Sequence, residues 1–497
     1  MALQATAALQ KSEINVEELC LVAPAQATDD QPLYLSNYDQ QVLFNLESVY
    51  FYPPSPHRSA ENVVDVLRAA LSKVLVPYHF MAGRLRMNAR EKRVEVDCNR
   101  AGALFVAATT NVTLADLQDG PTLVGLLKDF ILHSPASHQV SDAPLLTLQV
   151  TKFKCGGFVV GISRNHALVG GASGDDFLAN LTAAARGQEF PVKPVADRRL
   201  LKARDLPNPS YEHFEYMKVD QVPQDSYFTT PNSLSQLKLN GNFGAHFGLW
   251  KTFNFPTEVL NSLKAQALAD GLLSRCTTFE ALATKVWQAR TQALSMDADQ
   301  TSNLVFVVDS RKVLTPSLPV GFTGNTLSLA CARMPPRDLA EKPFSACVKE
   351  VQVAKARVTD DYVRSAIDWL ELNHAVPAVN SGIYLSSWAN FSFHKVDFGW
   401  GPPSHTLFIP GERGNNCVIF LPSKQGLDVC LALEPHQASA FQNCTGSILK
   451  WPPPPPRSRA ESYATQQRAG TGNQARYYST SSNIIGALRK NLKRWRI

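Results

Sequence analysis

Strand-like and helix-like segments alternate on both sides of a proline-rich, charged segment, and this pattern most restricts the fold. Before that segment, VLFNLESVYFYPP (42–54) has the alternation of a strand, and NVVDVLRAALSKVLVPY (62–78) has the spacing of an amphipathic helix. After it, TTFEALATKVWQARTQAL (277–294) predicts a helix capped by Thr277, with Glu280 at the capping-box position. Because both halves mix helices and strands, we expect an α/β or α+β protein.

The same segment predicts where the chain divides. At 497 residues the chain is too long for one ordinary core, and its length favours two or more domains. We predict an N-terminal domain at 1–190, a crossover loop at 191–215, a C-terminal domain at 216–445 and a disordered tail at 446–497.

The tail differs from the rest of the chain in composition and charge. It opens with WPPPPP, and residues 451–497 carry nine Arg and Lys against a single acid, Glu461. This net +8 exceeds the whole-chain +6 and leaves −2 for residues 1–450, so no nucleic-acid partner is expected. The final NIIGALRKNLKRWRI has two interpretations, a weak contact with an anionic membrane surface or, more simply, a solvated tail.

The cysteines and the N-terminus predict a cytoplasmic protein. Nine cysteines are scattered without a CxxC pair, which favours reduced thiols. The N-terminus lacks the layout of a signal peptide, and no apolar run of about 18 residues predicts a membrane span.

One histidine stands where a site is expected. Residues 145–171 predict two strands joined by a Cys-Gly-Gly turn, and the second strand ends at His166. Two glycines follow, and then a helix over 172–187 with Ser173 or Asp175 as its cap. An imidazole, with an ordinary pKa of about 6.5, suits proton transfer at such a sheet edge. The competing interpretation is a hydrogen-bonded core histidine.

A second string, VDFGWGPP (396–403), places glycines on both sides of a tryptophan, so the backbone turns tightly around a large ring. Taken alone, it predicts a packed structural loop. No Gly-rich loop or His-Arg-Asp loop accompanies DFG, so a kinase is excluded. A nucleophile elbow, a phosphate-binding loop, a dinucleotide fingerprint and zinc-ligand spacing are also missing, so no metal site is predicted.

Together these strings resemble the plant BAHD acyltransferase family, whose marks are His-x-x-x-Asp-Gly and Asp-Phe-Gly-Trp-Gly. The first mark has His166 and Gly171, with Gly170 in place of the acid. The second is complete and consists of Asp397, Phe398, Gly399, Trp400 and Gly401. The similarity covers about residues 15–445. Within the family, the sequence resembles the branch of hydroxycinnamoyl-CoA transferases that esterify ω-hydroxy fatty acids and fatty alcohols.

The resemblance implies a two-domain, chloramphenicol acetyltransferase-like fold with the active-site channel at the domain interface. It also implies an acyl-CoA donor as co-substrate, an alcohol acceptor, no bound cofactor and a monomer. His166 would be the general base, and Trp388, with Ser386 nearby, would stabilise the oxyanion. Thr278 would contact CoA, and the Asp-Phe-Gly-Trp-Gly loop would shape the CoA channel.

The glycine at 170 is the departure from the family pattern. In the family, the acid at this place pairs with an arginine that corresponds to Arg311. Gly170 should therefore cost a structural ion pair, for which Asp175, Asp176 or Asp309 could compensate. We expect weakened but not abolished chemistry, and higher thermal stability when Asp is restored at 170.

The resemblance leaves functions of different classes open. The first is an active acyltransferase. The second is a catalytically impaired relative that acts as a binding partner in fatty-acid elongation and wax synthesis. A third is an α/β protein whose histidine is incidental. Release of free CoA thiol would distinguish the first from the others.

Overall fold

The computed structural model describes residues 14–117, 128–132, 140–218, 250–373, 375–378, 382–409, 416–446 and 448–451. Its strands, in chain order, are β1 (Ile14–Val22), β2 (Leu33–Tyr34), β3 (Asn45–Tyr52), β4 (Arg84–Asn88), β5 (Arg93–Asp97), β6 (Ala103–Thr110), β7 (Leu146–Phe153), β8 (Phe158–Asn165), β9 (Tyr216–Lys218), β10 (Trp250–Pro256), β11 (Ser302–Asp309), β12 (Leu327–Met334), β13 (Ala375–Pro377), β14 (Gly382–Ser387), β15 (His405–Ile409), β16 (Cys417–Ser423), β17 (Gly426–Ala432) and β18 (Ile448–Trp451). Its helices are α1 (Asn37–Gln40), α2 (Val63–Val74), α3 (Leu114–Leu117), α4 (Gly171–Ala185), α5 (Thr257–Leu268), α6 (Thr278–Ala293), α7 (Pro336–Glu341), α8 (Phe344–Ala356), α9 (Asp360–Asn373) and α10 (Pro435–Thr445).

Two mixed sheets organise the described residues. The first has six strands in the order β1-β6-β7-β8-β3-β15, and the second has seven in the order β12-β11-β14-β16-β17-β10-β18. Each sheet contains both parallel and antiparallel pairs. The first sheet with α2 and α4 is called the first body below. The second sheet with α5, α6, α8–α10 and residues 323–326, which lead into β12, is called the second body. The predicted α/β class is thus confirmed.

The apolar pattern of the first body explains its packing. Every residue of β8 is buried, as expected for a strand in the middle of a sheet with both faces covered. Helix α2 buries one stripe, repeating every three to four residues, and packs beside α4. The buried residues of that stripe are Val63, Leu67, Ala70, Leu71 and Val74.

One strand from the C-terminal half lies in the first sheet. β15 pairs antiparallel with β3, and His405 stands opposite Phe51. The predicted range 216–445 therefore contributes to both bodies, and the boundaries at 190 and 216 stay a prediction. Strand β18, which lies within the predicted tail, pairs with β10 in the second sheet. The rest of that tail, including its basic end, lies outside the described residues.

Helix α4 corrects a predicted cap. It begins at Gly171 with Gly170 as N-cap, rather than being capped by Ser173 or Asp175. A glycine has no side chain to cap with, and Ser173 acts in the opposite sense: its Oγ accepts the Gly170 N–H at 2.8 Å. That hydroxyl also donates to the Thr323 carbonyl at 2.9 Å, which ties the start of the helix to the C-terminal half of the chain.

Two further observations concern the environment of the chain. All nine cysteines are free thiols. In the part of the chain that the structure describes, no helix has the length and apolar character to cross a bilayer.

Candidate active site

His166 follows directly on β8, in a turn whose backbone is held tightly. Its N–H donates to the Phe44 carbonyl at 2.7 Å, and its ring meets the Phe44 ring edge-on, with the centroids 5.4 Å apart. Asn165 Oδ1 accepts the N–H of Ala167 at 3.1 Å and so closes the turn. The residue is 7% exposed, so the imidazole is largely enclosed by protein.

The other peptide group of His166 is held by a residue that is distant in sequence. The Asn325 side-chain amide donates one N–H to the His166 carbonyl at 2.9 Å and the other to Asp39 Oδ1 at 2.7 Å. Asn325 precedes β12 and is 2% exposed. A single buried amide thus links the turn after β8 to the second body.

Asp39 is the acceptor at the centre of this connection. Its carboxylate accepts the Ser36 N–H and hydroxyl at 2.9 and 2.8 Å, and the Asn325 backbone N–H at 2.9 Å. Arg198 Nε lies 3.5 Å from the same carboxylate, and both side chains have no exposed surface. Arg198 also donates to the Leu168 carbonyl at 2.6 Å, two residues after His166. Burial lowers the pKa of the Arg198 guanidinium, and the charge of Asp39 opposes that shift.

The structure gives Arg311 acidic neighbours despite the glycine at 170. Arg311 Nε lies 3.7 Å from Asp309 Oδ1, and its side chain is 23% exposed. Burial raises the pKa of Asp176, and the charge of Arg311 acts in the opposite direction. Asp309, one of the three acids that sequence analysis named as compensating partners, therefore lies beside Arg311, and the charge of Arg311 also acts on a second, Asp176.

The space beside Gly170 is occupied by Asn325. A Cβ at position 170 would lie 3.0 Å from Asn325 Oδ1 and 3.5 Å from its Cα. An Asp here would bring its Cβ against an amide oxygen, and the amide cannot turn round without losing its bonds to Asp39 and His166. This geometry opposes the expectation that Asp at 170 stabilises the fold.

We expect Gly170→Asp to lower the melting temperature by a few degrees. Overpacking costs about 1–3 kcal/mol, whereas a better N-cap than glycine returns only about a few tenths. Thermal unfolding followed by circular dichroism measures the shift, and Gly170→Ala separates the volume effect from the charge effect. A higher melting temperature for Gly170→Asp would instead support the expectation that an acid at position 170 pairs with Arg311.

The first turns of α4 also carry a partly buried acid. Burial raises the pKa of Asp175, while the Ser392 N–H that it accepts at 3.1 Å and the charge of Arg164 act the other way. Arg164, on β8, is 3% exposed, and burial lowers the pKa of its guanidinium. Asp175 therefore fixes the 388–392 segment to the helix that follows His166.

Trp388 and Ser386, the predicted oxyanion donors, lie together. The Trp388 indole N–H donates to Ser386 Oγ at 3.0 Å. Trp388 is half-buried in an aromatic cluster, 4.7 Å from the Phe408 ring and 6.5 Å from the Phe391 ring. A Cβ on Gly171 would approach Phe391 Cζ to 2.5 Å, so a glycine there lets this cluster rest on the start of α4.

The Asp-Phe-Gly-Trp-Gly loop is a turn built around its own acid. Asp397 Oδ1 accepts the N–H groups of Gly399 and Gly401 at 2.7 and 2.9 Å. Both glycines have positive φ, 103° and 94°, which other residues rarely adopt. The Arg58 guanidinium lies 3.7 Å from the centroid of the Trp400 ring, and the indole donates to the Ser59 carbonyl at 2.9 Å. The loop is therefore packed onto the first body, as a structural loop would be.

Thr278 lies elsewhere, at the start of α6. Thr277 caps this helix and exchanges hydrogen bonds with Glu280 at 3.0 and 3.2 Å, which confirms the predicted capping box. Thr278 is half-buried beside Phe279, whose ring packs against Phe306 on β11 of the second body. Its contact with CoA stays a prediction.

A buried Ser-His-Glu arrangement stands outside the candidate site. His213 bonds Glu215 Oε1 through Nδ1 at 2.7 Å and Ser365 Oγ through Nε2 at 2.9 Å. Ser365 Oγ also accepts the N–H groups of Ser210 and Tyr211 at 2.9 and 3.1 Å. All three members are buried, so the arrangement fastens the crossover segment to α9 and offers no nucleophile to a substrate.

Sequence reasoning missed Asp39, Arg198 and Asn325. The Ser-x-x-Asp spacing from Ser36 to Asp39 is the signature of a capping box, which the structure contains, and it could have marked this acid. No local signal links Asp39 to Asn325, because 286 residues separate them.

Comparison with known proteins shows the family. Residues 12–446 match the model of the Transferase family. An omega-hydroxypalmitate O-feruloyl transferase from Arabidopsis thaliana is 33% identical over 440 residues, which cover 86% of this chain and 92% of the relative. A shikimate O-hydroxycinnamoyltransferase from Nicotiana tabacum is 35% identical over 447 residues, which cover 86% and 98%. The crystal structure of vinorine synthase superposes with a TM-score of 0.68 at 19% identity and covers 88% of this chain and 99% of its own.

The fold is thus that of a two-domain α/β transferase. The chain belongs to the Transferase family, and the predicted membership of the plant BAHD acyltransferases is confirmed. It is an acyl-transferring enzyme.

Proposed function

We propose that the protein transfers a hydroxycinnamoyl group of the feruloyl type from CoA to a hydroxyl group, with His166 as general base. One observation carries this proposal. The turn that bears His166 is held on both of its peptide groups, and one of the holding groups, Asn325, comes from the second body. A side chain fixed at the junction of two bodies suits a reaction in which donor and acceptor arrive from different faces.

The chemistry follows from the weakness of a hydroxyl as nucleophile. His166 takes the acceptor's proton while its oxygen attacks the thioester carbonyl, and a tetrahedral oxyanion forms. The oxyanion then collapses, the carbon–sulfur bond breaks, and His166 returns the proton to the departing sulfur. The products are an ester and free CoA thiol. No covalent enzyme intermediate forms in this sequence, and acyl-CoA serves as co-substrate.

Trp388 is the proposed donor to the oxyanion. We expect Trp388→Phe to lower kcat about 10²- to 10³-fold, the usual effect of removing one oxyanion donor. The phenyl ring should still fill the cluster with Phe408, so the melting temperature should change little. Ser386→Ala serves as the comparison, because it removes the hydroxyl that accepts the indole N–H when no substrate is bound. A larger loss in Ser386→Ala than in Trp388→Phe would make the serine hydroxyl the donor instead.

The substrate classes come from the named relatives. One acts on omega-hydroxypalmitate with a feruloyl group and the other on shikimate with a hydroxycinnamoyl group, so both names share an aromatic acyl group and an oxygen acceptor. We propose an ω-hydroxy fatty acid or fatty alcohol as acceptor, in line with the first relative. The match to named acyltransferases favours this enzyme over a binding partner in fatty-acid elongation.

Thiol release from the purified full chain tests the proposal. Feruloyl-CoA is offered with ω-hydroxypalmitate, with a long-chain alcohol, with shikimate or without acceptor, and the ester is identified by mass spectrometry. We expect acceptor-dependent thiol release, fastest with an aliphatic acceptor. Faster reaction with shikimate would overturn the acceptor assignment. Absence of turnover with every aromatic acyl-CoA and acceptor would overturn the function.

The proposal also covers the cellular compartment and the oligomeric state of the enzyme. A cytoplasmic monomer is proposed, and the nine free thiols are in line with a reducing compartment. We also propose a substrate channel between the two bodies, with CoA contacts from Thr278 and from the Asp397–Gly401 loop. A weak contact of the tail with a membrane surface is proposed as well.

A further inference from the structure

We propose that Asn325 is a positioning residue for His166. It aims the imidazole by fixing the His166 carbonyl, which is bonded to the Cα that carries the side chain, and it does so from the second body. This inference rests on the proposed function, in which His166 is the general base. Neither the resemblance nor the names of the relatives assign a role to Asn325.

The first support is the geometry of the amide. One N–H lies 2.9 Å from the His166 carbonyl, and the other lies 2.7 Å from Asp39 Oδ1. Both neighbours are acceptors, so only the nitrogen can face them, and a reversed amide would set oxygen against oxygen twice. The amide has one favourable orientation, and in that orientation it holds the His166 carbonyl in place.

The second support is the rigidity of what holds Asn325. Asp39 accepts both the side-chain and the backbone N–H of Asn325, and Arg198 lies 3.5 Å from the same carboxylate. Arg198 in turn donates to the Leu168 carbonyl. The turn from His166 to Leu168 is thus attached at two carbonyls to one buried cluster of charged and amide groups.

The third support is Gly170. The Asn325 amide oxygen points to the place where a side chain at 170 would begin, 3.0 Å from an ideal Cβ. A larger residue at 170 would press on the amide and move it away from the His166 carbonyl. In this chain, therefore, the small residue at 170 and the amide at 325 act as a pair.

The test compares two buried asparagines. Asn325→Ala removes the bond to the His166 carbonyl. Asn180→Ala is the matched control: Asn180 is fully buried on α4 and donates to the Val192 carbonyl at 2.7 Å and the Tyr78 hydroxyl at 3.1 Å. It removes buried amide bonds of the same kind without touching the His166 turn. Gly170→Ala is the third variant, since it displaces the amide without deleting a hydrogen-bonding group.

We expect Asn325→Ala to lower kcat about 100-fold with the KM for feruloyl-CoA within twofold, because misplacement of a catalytic group by about 1 Å has such an effect. Asn180→Ala should keep kcat within about threefold at temperatures where both variants are folded. Gly170→Ala should lower kcat by a smaller factor, again at constant KM. Equal losses in Asn325→Ala and Asn180→Ala would reduce Asn325 to a structural residue, and so would unchanged turnover in Asn325→Ala. If Asn325→Ala does not fold, Gly170→Ala decides alone, and unchanged kcat in it overturns the proposal.

A spectroscopic measurement separates this inference from the proposed function. In protein with isotope-labelled histidine, the imidazole signals of His166 are assigned by their loss in His166→Gln. They should shift in Asn325→Ala and stay in place in Asn180→Ala. If the wild-type chain shows no acyl transfer, the function fails while this comparison still tests the positioning. If the chain is active and the signals do not shift, only the positioning fails.

Discussion

Replacing His166 with alanine should lower acyl transfer about 10²- to 10⁴-fold, the contribution of a general base in proton transfer. The fold should survive, because two hydrogen bonds that hold the turn use the His166 N–H and carbonyl, which alanine retains. Loss of the edge contact with Phe44 should cost about 1 kcal/mol. Initial rates of CoA thiol release, measured with feruloyl-CoA and a saturating acceptor, give the effect on kcat.

His405→Ala is the control for His166→Ala. His405 is exposed on β15, the strand that the C-terminal half contributes to the first sheet. Its removal should leave thiol release unchanged, which excludes a general effect of losing a histidine. Unchanged turnover in His166→Ala would remove the assigned base, and the family membership would stand without it.

The sequence predicted those elements whose signal is local. The spacing of apolar residues distinguishes strand from helix in three places. These are strand β3, helix α2 and the hairpin of β7 and β8. The position of His166 directly after a strand followed from the same signal. The capping box of α6 also followed, because both of its residues lie within four positions of each other.

Other elements depend on partners that no local pattern specifies. Strand β1 shows little apolar alternation in its sequence, because most of its side chains are at least partly exposed. It is a strand because β6 pairs with it along its length. Residues 346–372 have the composition of a single helix, but the structure divides them between two helices, α8 and α9, separated by a short break. The entry of β15 into the first sheet is a contact between residues about 350 apart, as His405 opposite Phe51 shows.

The candidate site shows the same division. The resemblance identified His166, Trp388 and the glycine at 170, since each belongs to a recognisable string. It did not identify what lies beside Gly170, because the position of Asn325 depends on the packing of the second body against the first. For this reason alone, the expected effect of Gly170→Asp on thermal stability changes from an increase to a decrease. The neighbour of the new Cβ is an amide oxygen at 3.0 Å and not the Arg311 guanidinium.

The largest stability effect is expected at Asp39. Asp39→Asn keeps the shape of the side chain but removes the charge opposite Arg198, and both groups have no exposed surface. It also places an NH₂ group against the N–H donor of either Ser36 or Asn325, because these bond to different carboxylate oxygens. Leaving a buried charge without its partner costs about 3–5 kcal/mol, so the urea midpoint should fall sharply.

Asp65→Asn is the matched comparison, because Asp65 also pairs with an arginine, Arg68, at 2.9 Å, but with its side chain 77% exposed. Exposed pairs contribute at most about 1 kcal/mol, so this variant should unfold at nearly the wild-type urea concentration. Neutralising Asp39 and replacing Arg198 with methionine together should cost less than the sum of the two single changes, because the double variant leaves no buried charge alone. Additive losses would mean that Asp39 and Arg198 act through their separate hydrogen bonds, and that the charge pair itself does not hold the His166 turn to the second body.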